Sequence, residues 1–128
     1  MGRRQEREQA FFLIFESMFS NEEQAVEIFN ENVEPVGDFA KRIFEGVNDK
    51  KELIDEEISK YLSGWKLSRI SKVNHAILLL SFYEIKNIDE IPYSVSINEA
   101  VELAKKYSGK EDAAFINGVL GSYVRSFE

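Results

Sequence analysis

Val73-Asn74-His75-Ala76-Ile77-Leu78-Leu79-Leu80-Ser81-Phe82-Tyr83-Glu84-Ile85 is apolar almost all the way round a helical wheel. A helix of that kind is surrounded by other helices rather than laid on a surface. The flanking sequence supplies them. Upstream, Phe11, Ile14, Phe15 and Met18 recur at three and four residues, the spacing of one helical face. Asn21 with Gln24 reads as a capping box opening a short second helix through Ala25, Val26 and Phe29. Val36, Phe39, Ala40, Ile43, Phe44 and Val47 form a third stripe. Leu53 or Ile54, with Ile58, Tyr61, Leu62 and Trp65, forms a fourth. Downstream come Ile97, Ala100, Val101, Ala104 and Tyr107, then Ile116, Val119, Leu120 and Tyr123. Pro35 and Pro92 both fall where a helix boundary is expected. No stretch alternates well enough to be a strand, so the expected fold is all-α, a single compact domain of about seven helices.

At 128 residues the chain is one domain's worth and long enough to bury a real core. The polar stretch Ser63–Arg69 is the best join between two helical parts, about 1–65 and 69–128, each too small to stand as a separate domain. No internal repeat or low-complexity segment is present.

Composition excludes several classes. There is no cysteine, which removes disulfides and thiolate metal sites. Spanning a bilayer takes about 18 uninterrupted apolar residues. Asn74 and His75 precede the Ala76–Leu80 run and Glu84 and Lys86 follow it, so no membrane span is expected. Glu6, Glu8 and Gln9 interrupt the N-terminal region where a signal peptide would be apolar, and a cytoplasmic protein is the plain reading. A net charge of −7 and a pI near 4.9 argue against a general nucleic-acid binder, whose affinity rests on cations neutralising phosphates. An acidic chain binds RNA only where its cations are gathered locally.

Little in the sequence points to catalysis. His75 sits on an apolar helix without partners in sequence, which favours a packed imidazole over a ligand. There is no phosphate loop, no paired-histidine motif and no nucleophile elbow. Asp55-Glu56-Glu57, after Lys50-Lys51, reads as a solvated helix face. No enzyme activity, metal or cofactor is expected.

Binding is another matter. Arg3, Arg4 and Arg7 occupy the first turns of a helix, where the macrodipole favours acids. Arg3 and Arg7 are one turn apart and share a face. Cations set against the dipole suggest a phosphate ligand; the competing reading is a solvated tail with Glu6 and Glu8 cancelling two charges. Ser96 and Glu99 suggest a capping box, giving Asn98 a structural role at a helix start. Asn117 stays open between a buried carboxamide and a base-edge contact. Ala114, Gly118 and Gly121 fall on one face, where small side chains let another helix approach, which accounts for a mid-helix glycine that otherwise costs about 1 kcal/mol. Phe115 follows the polar Ser108–Asp112 loop and is either core or a platform for an unpaired base.

The run Ile97-Asn98-Glu99-Ala100-Val101-Glu102-Leu103-Ala104-Lys105-Lys106, followed by Phe115-Ile116-Asn117-Gly118-Val119-Leu120, resembles the signature of the NusB family of bacterial transcription antitermination factors. Val73–Ile85 with Ile91-Pro92-Tyr93 fits that family's central helix and turn, and Arg3-Arg4 with Arg7-Glu8 fits its basic leader. The resemblance runs end to end and implies two small helical bundles packed across each other. It also implies pairing with the ribosomal protein NusE, binding of boxA single-stranded RNA, and work with other Nus factors and RNA polymerase, notably in ribosomal RNA operons. On that basis Arg3, Arg4, Arg7, Phe15, Phe115 and Asn117 are the expected RNA contacts, and Asn74, Glu111 and Asp112 the expected partner contacts. An acidic surface suits a basic ribosomal partner.

Several positions depart from the family pattern. Gln5 and Glu6 break the leader, Phe15 stands where relatives often have Tyr, Leu79 where many have Arg, and Gly121 where Asp is usual. Asn74 takes a position that is acidic in some relatives. One rival reading is the N-terminal module of a ribosomal RNA cytosine methyltransferase, whose α/β cofactor portion is not in this sequence. The other is a helical interaction module or homodimer without RNA, using Phe15 and Phe115 as contacts.

Overall fold

The computed structural model describes residues 2–19 and 35–127, and these hold five α-helices and one 3-10 turn. In order they are α1 (Arg3–Ser17), α2 (Asp38–Ser59), the 3-10 turn Leu67–Arg69, α3 (Lys72–Asn87), α4 (Tyr93–Tyr107) and α5 (Lys110–Arg125). The all-α expectation holds. The helix expected over 21–29 lies outside the described residues. The third and fourth expected helices are one 22-residue helix, α2, because nothing between their stripes breaks it. Ile54 rather than Leu53 faces inward, and Trp65 lies beyond the helix with its indole exposed.

The centre of the molecule is α3, which packs against α1, α2, α4 and α5. Ser71 caps it, its hydroxyl accepting the Asn74 backbone N–H at 3.1 Å, so one of the orphan donors of the first turn is satisfied. Ala76 through Leu80, Phe82 and Ile85 are all buried, each large side chain contributing about 1.5–3 kcal/mol by leaving water. Leu79 is fully buried and fills this core. Ser81 satisfies its buried hydroxyl by donating to the Ile77 carbonyl at 2.7 Å.

Two contacts set how the helices lie on α3. Gly46 of α2 receives the Tyr83 ring directly, and a Cβ there would sit 2.1 Å from Tyr83 Cζ. On the far side Phe82 and Tyr123 of α5 stack at 4.0 Å between centroids, nearly parallel, with Tyr61 tilted against both. Burial pushes the Tyr123 phenol up to about 12.

Glu6 and Gln9 of α1 fasten the start of α2. Glu6 Oε1 accepts the backbone N–H of Phe39 at 3.0 Å, and Gln9 bridges the Gly37 N–H and the Pro35 carbonyl. Glu6 therefore caps a neighbouring helix rather than cancelling an adjacent arginine. Gly109, at φ +147°, joins α4 to α5 in a conformation that side chains rarely adopt.

Candidate nucleic-acid interface

The N-terminal arginines part company within one turn. Arg7 is buried, its side chain 4% exposed, and its guanidinium grips Glu84 of α3 through Nη2 at 2.5 Å and Nε at 2.9 Å. The Glu84 side chain is 0% exposed. A bidentate pair of this kind is short and strong, and both charges depend on it once out of water. Arg7 was expected on the RNA surface; its burial makes it an anchor between α1 and α3.

Arg3 and Arg4 stay outside. The Arg3 guanidinium lies over the Phe39 ring, 4.1 Å from its centroid, a cation–π contact that orients it while leaving it exposed. Arg4 is 71% exposed and donates to Glu99 of α4 from Nε at 3.1 Å and from Nη2 at 2.9 Å. The hydrogen bonds Arg4 donates to Glu99, then the charge of Glu99, raise the Arg4 guanidinium above its ordinary value.

Arg4 borders a cleft of about 340 Å³ between α1 and α4, lined also by Arg7, Glu8, Glu99, Glu102, Leu103, Lys105 and Lys106. Its charges are paired throughout. Lys106 donates to Glu8 at 3.0 Å and Lys105 to Glu102 at 3.5 Å. The Tyr107 hydroxyl also donates to Glu8. Desolvation, then the Glu8 carboxylate, hold the Tyr107 phenol above its usual range, and the bond to Glu8 raises Lys106.

A second, more open groove of about 600 Å³ runs between α4 and α5 and shares Lys105 with the first. Asn98 and Asn117 face it from opposite helices, both exposed, with Ile97, Val101, Ala113 and Ala114 as its apolar part and Lys110 at one end. The capping box expected of Ser96 and Glu99, beside Asn98, is not what the helix uses. Helix α4 begins at Tyr93 behind Pro92, Ser96 is buried inside it, and Asn98 is a full turn in. Gly118 does not serve packing within the chain either: nothing lies within 4 Å of where its Cβ would be. The small-residue face of α5 is open to solvent at Ala114 and Gly118, and Gly121 meets only the Arg125 side chain of its own helix.

The remaining expected contacts are more enclosed. Phe115 is partly buried against the core, as is Phe15, which stacks on Phe11 and meets Phe19 edge-on. Asn74 is buried; its Nδ2 donates to Asp112 at 2.9 Å, and its Oδ1 accepts from the Ser108 hydroxyl. This set ties the start of α3 to the α4–α5 junction, so Asn74 is internally committed rather than free to meet a partner. Hydrogen bonds from Ser108 and then Asn74 hold the Asp112 carboxyl below its usual 3.8, while Glu111 beside it is exposed. His75 is paired with Asp55 of α2 at 2.6 Å, a packed imidazole as its surroundings in sequence suggest. Among the described residues no group of His, Asp and Glu is arranged to hold a metal ion, and no helix is long and apolar enough to cross a membrane.

Sequence reasoning did not find Glu8, Glu99, Glu102, Lys105 and Lys106 as parts of this cleft, nor Glu84 as the buried partner of Arg7. The amphipathic spacing of α4 shows which face is buried, but not that its charged edge meets α1 more than ninety residues away.

Residues 4–125 match the model of the NusB family. The transcription antitermination protein NusB of Clostridium botulinum (strain Kyoto / Type A2) is 43% identical over 143 aligned residues, which cover 97% of this chain and all of that one. Among solved structures, T. maritima NusB superposes with a TM-score of 0.85 at 33% identity, over 98% of this chain and 92% of that one. A complex of antitermination factors NusB and NusE with dsRNA contains a chain that shares the fold, with a TM-score of 0.80 at 24% identity, over 98% of this chain and 99% of that one.

Proposed function

Because this chain belongs to the NusB family of transcription antitermination proteins, we propose that it binds boxA-like single-stranded RNA together with the ribosomal protein NusE. In that assembly, with other Nus factors, it keeps RNA polymerase elongating through terminators, notably in ribosomal RNA operons. The role is scaffolding in the cytoplasm, with no catalysed reaction and no cofactor. The observation that carries this reading is the group of exposed cations at the cleft, Arg4 of α1 with Lys105 and Lys106 of α4, together with exposed Arg3 one residue before Arg4, on an otherwise acidic chain. Asn98 and Asn117 in the adjoining groove present carboxamides with both donor and acceptor to base edges, and Phe115, partly buried on α5, is a further contact in this reading. Arg7 and Asn74 contribute by holding α1 and α5 in place.

The net charge of −7 suits a basic ribosomal partner, which then supplies much of the positive charge that RNA needs. The test is binding to a boxA-like strand with and without NusE at two salt concentrations. Weak binding alone, marked strengthening with NusE, and loss of affinity on replacing Arg3 and Arg4 with Ala are the expected results. Stable NusE binding without RNA binding would leave a protein-interaction module.

A further inference from the structure

Every cation along the cleft between α1 and α4 already has a carboxylate partner, and the partner of Arg4 is unlike the others. Glu99 is only 12% exposed and is held by two arginines: Arg4 in two-pronged fashion, and Arg7 Nη1 at 3.5 Å. Arg7 itself is fixed by Glu84 from below. Glu99 is thus a rigid anion placed where an incoming phosphate would meet Arg4, and it uses the same guanidinium fork that a phosphate would use. A pair whose arginine is mostly in water adds little to folding, so stability alone gives weak reason for the arrangement.

We propose that Glu99 is a built-in competitor for RNA, a carboxylate that occupies Arg4 in the free protein and must be displaced before Arg4 reaches a backbone phosphate. The inference rests on the RNA-binding reading above and names how that site is regulated. Two costs fall on any RNA that binds: the Arg4 pair is broken, and the Glu99 charge is left facing a phosphate. Glu102 on Lys105 and Glu8 on Lys106 repeat the device more loosely at exposed positions. An RNA touching this chain alone gains too little to displace them, whereas one also held by a basic partner gains enough. The self-paired cleft thereby makes binding conditional on the assembled complex.

Binding of a boxA-like single strand to the free chain and to its complex with NusE tests this, using Glu99→Gln. Glutamine keeps the size and one acceptor but removes the charge, and Arg7 keeps Glu84. Affinity of the free chain should rise about two- to fivefold, the size of an exposed ion pair. Its dependence on salt should steepen by up to about 0.7 in logarithmic slope, one more phosphate neutralised. Arg4→Ala in the Glu99→Gln background should abolish the gain, and Glu102→Gln, which frees Lys105, should give a smaller one. Glu45→Gln, an exposed carboxylate on α2, controls for net charge. A Glu99→Gln gain no larger than that of Glu45→Gln, or one that survives loss of Arg4, overturns the competitor while leaving RNA binding intact. No RNA binding by any form, with NusE present and bound, overturns both.

Discussion

Arg4 and Arg7 lie three residues apart on the same helix, and they live in opposite regimes. Arg7 and Glu84 are out of water and bound through short hydrogen bonds, while Arg4 meets Glu99 at a mouth where its own side chain is mostly solvated. Inside, the pair holds α1 onto α3 and is exchangeable with nothing. Outside, the same chemistry contributes little to the fold and is available to a ligand. Two glycines repeat the division. Gly46 is pressed against the Tyr83 ring, whereas Gly118 faces open space. What differs in each case is burial, not residue type, and burial decides which charges and which small residues are free to bind.

The largest effect expected is on the inner pair. Arg7→Ala or Glu84→Ala leaves a buried charge unpaired and should cost about 3–5 kcal/mol in thermal or denaturant unfolding. Replacing both by apolar residues of similar size should recover much of that loss, because the surviving charge is gone. Gly46→Ala comes next, at about 1–3 kcal/mol, since its methyl can be accommodated only by moving Tyr83 or α2. Gly118→Ala should do the reverse in the same assay, stabilising by up to about 1 kcal/mol through helix propensity. If Gly118→Ala instead weakens NusE or RNA binding while raising stability, the open face of α5 is a contact surface.

Arg4→Ala should leave the melting temperature essentially unchanged and lower RNA affinity in the complex, with a shallower salt dependence. A large stability loss would mean that the outer pair is structural after all. The smallest effect lies at the α3–α5 tie. The Asp112 carboxyl is held below its ordinary value, so it stabilises the fold above about pH 4, near its unfolded pKa, and that contribution is lost as pH falls through the lower folded value. Asp112→Asn should flatten this acid limb in unfolding curves taken between neutral pH and pH 3.

Helix α3 was legible from sequence because burial on every side leaves an unmistakable composition, and the stripes of α1, α4 and α5 follow from helical spacing. The continuity of α2 was not, because the stripes ending at Val47 and beginning at Leu53 or Ile54 read as two faces, and no residue between them shows that one helix carries both. The arginine leader was legible as a candidate site, but its division into anchor and contact was not. That depends on Glu84 and Glu99, which come to Arg7 and Arg4 from far along the chain. Asn98 was misplaced because Ser96 and Glu99 imitate a capping box, while the helix actually opens at Pro92. Gly118 was assigned to packing because a small-residue stripe carries no sign of whether a neighbour covers it.

The most direct measurement is a backbone amide chemical-shift map of the isotopically labelled chain titrated with a boxA-like single strand in the presence of unlabelled NusE. Shifts that appear on adding RNA should cluster at Arg3, Arg4, Lys105 and Lys106 and extend to Asn98 and Asn117, leaving the far end of α2, residues 50–59, unmoved. RNA-dependent shifts centred on α2, or none at all while NusE remains bound, would contradict an RNA surface built on the outer end of α1.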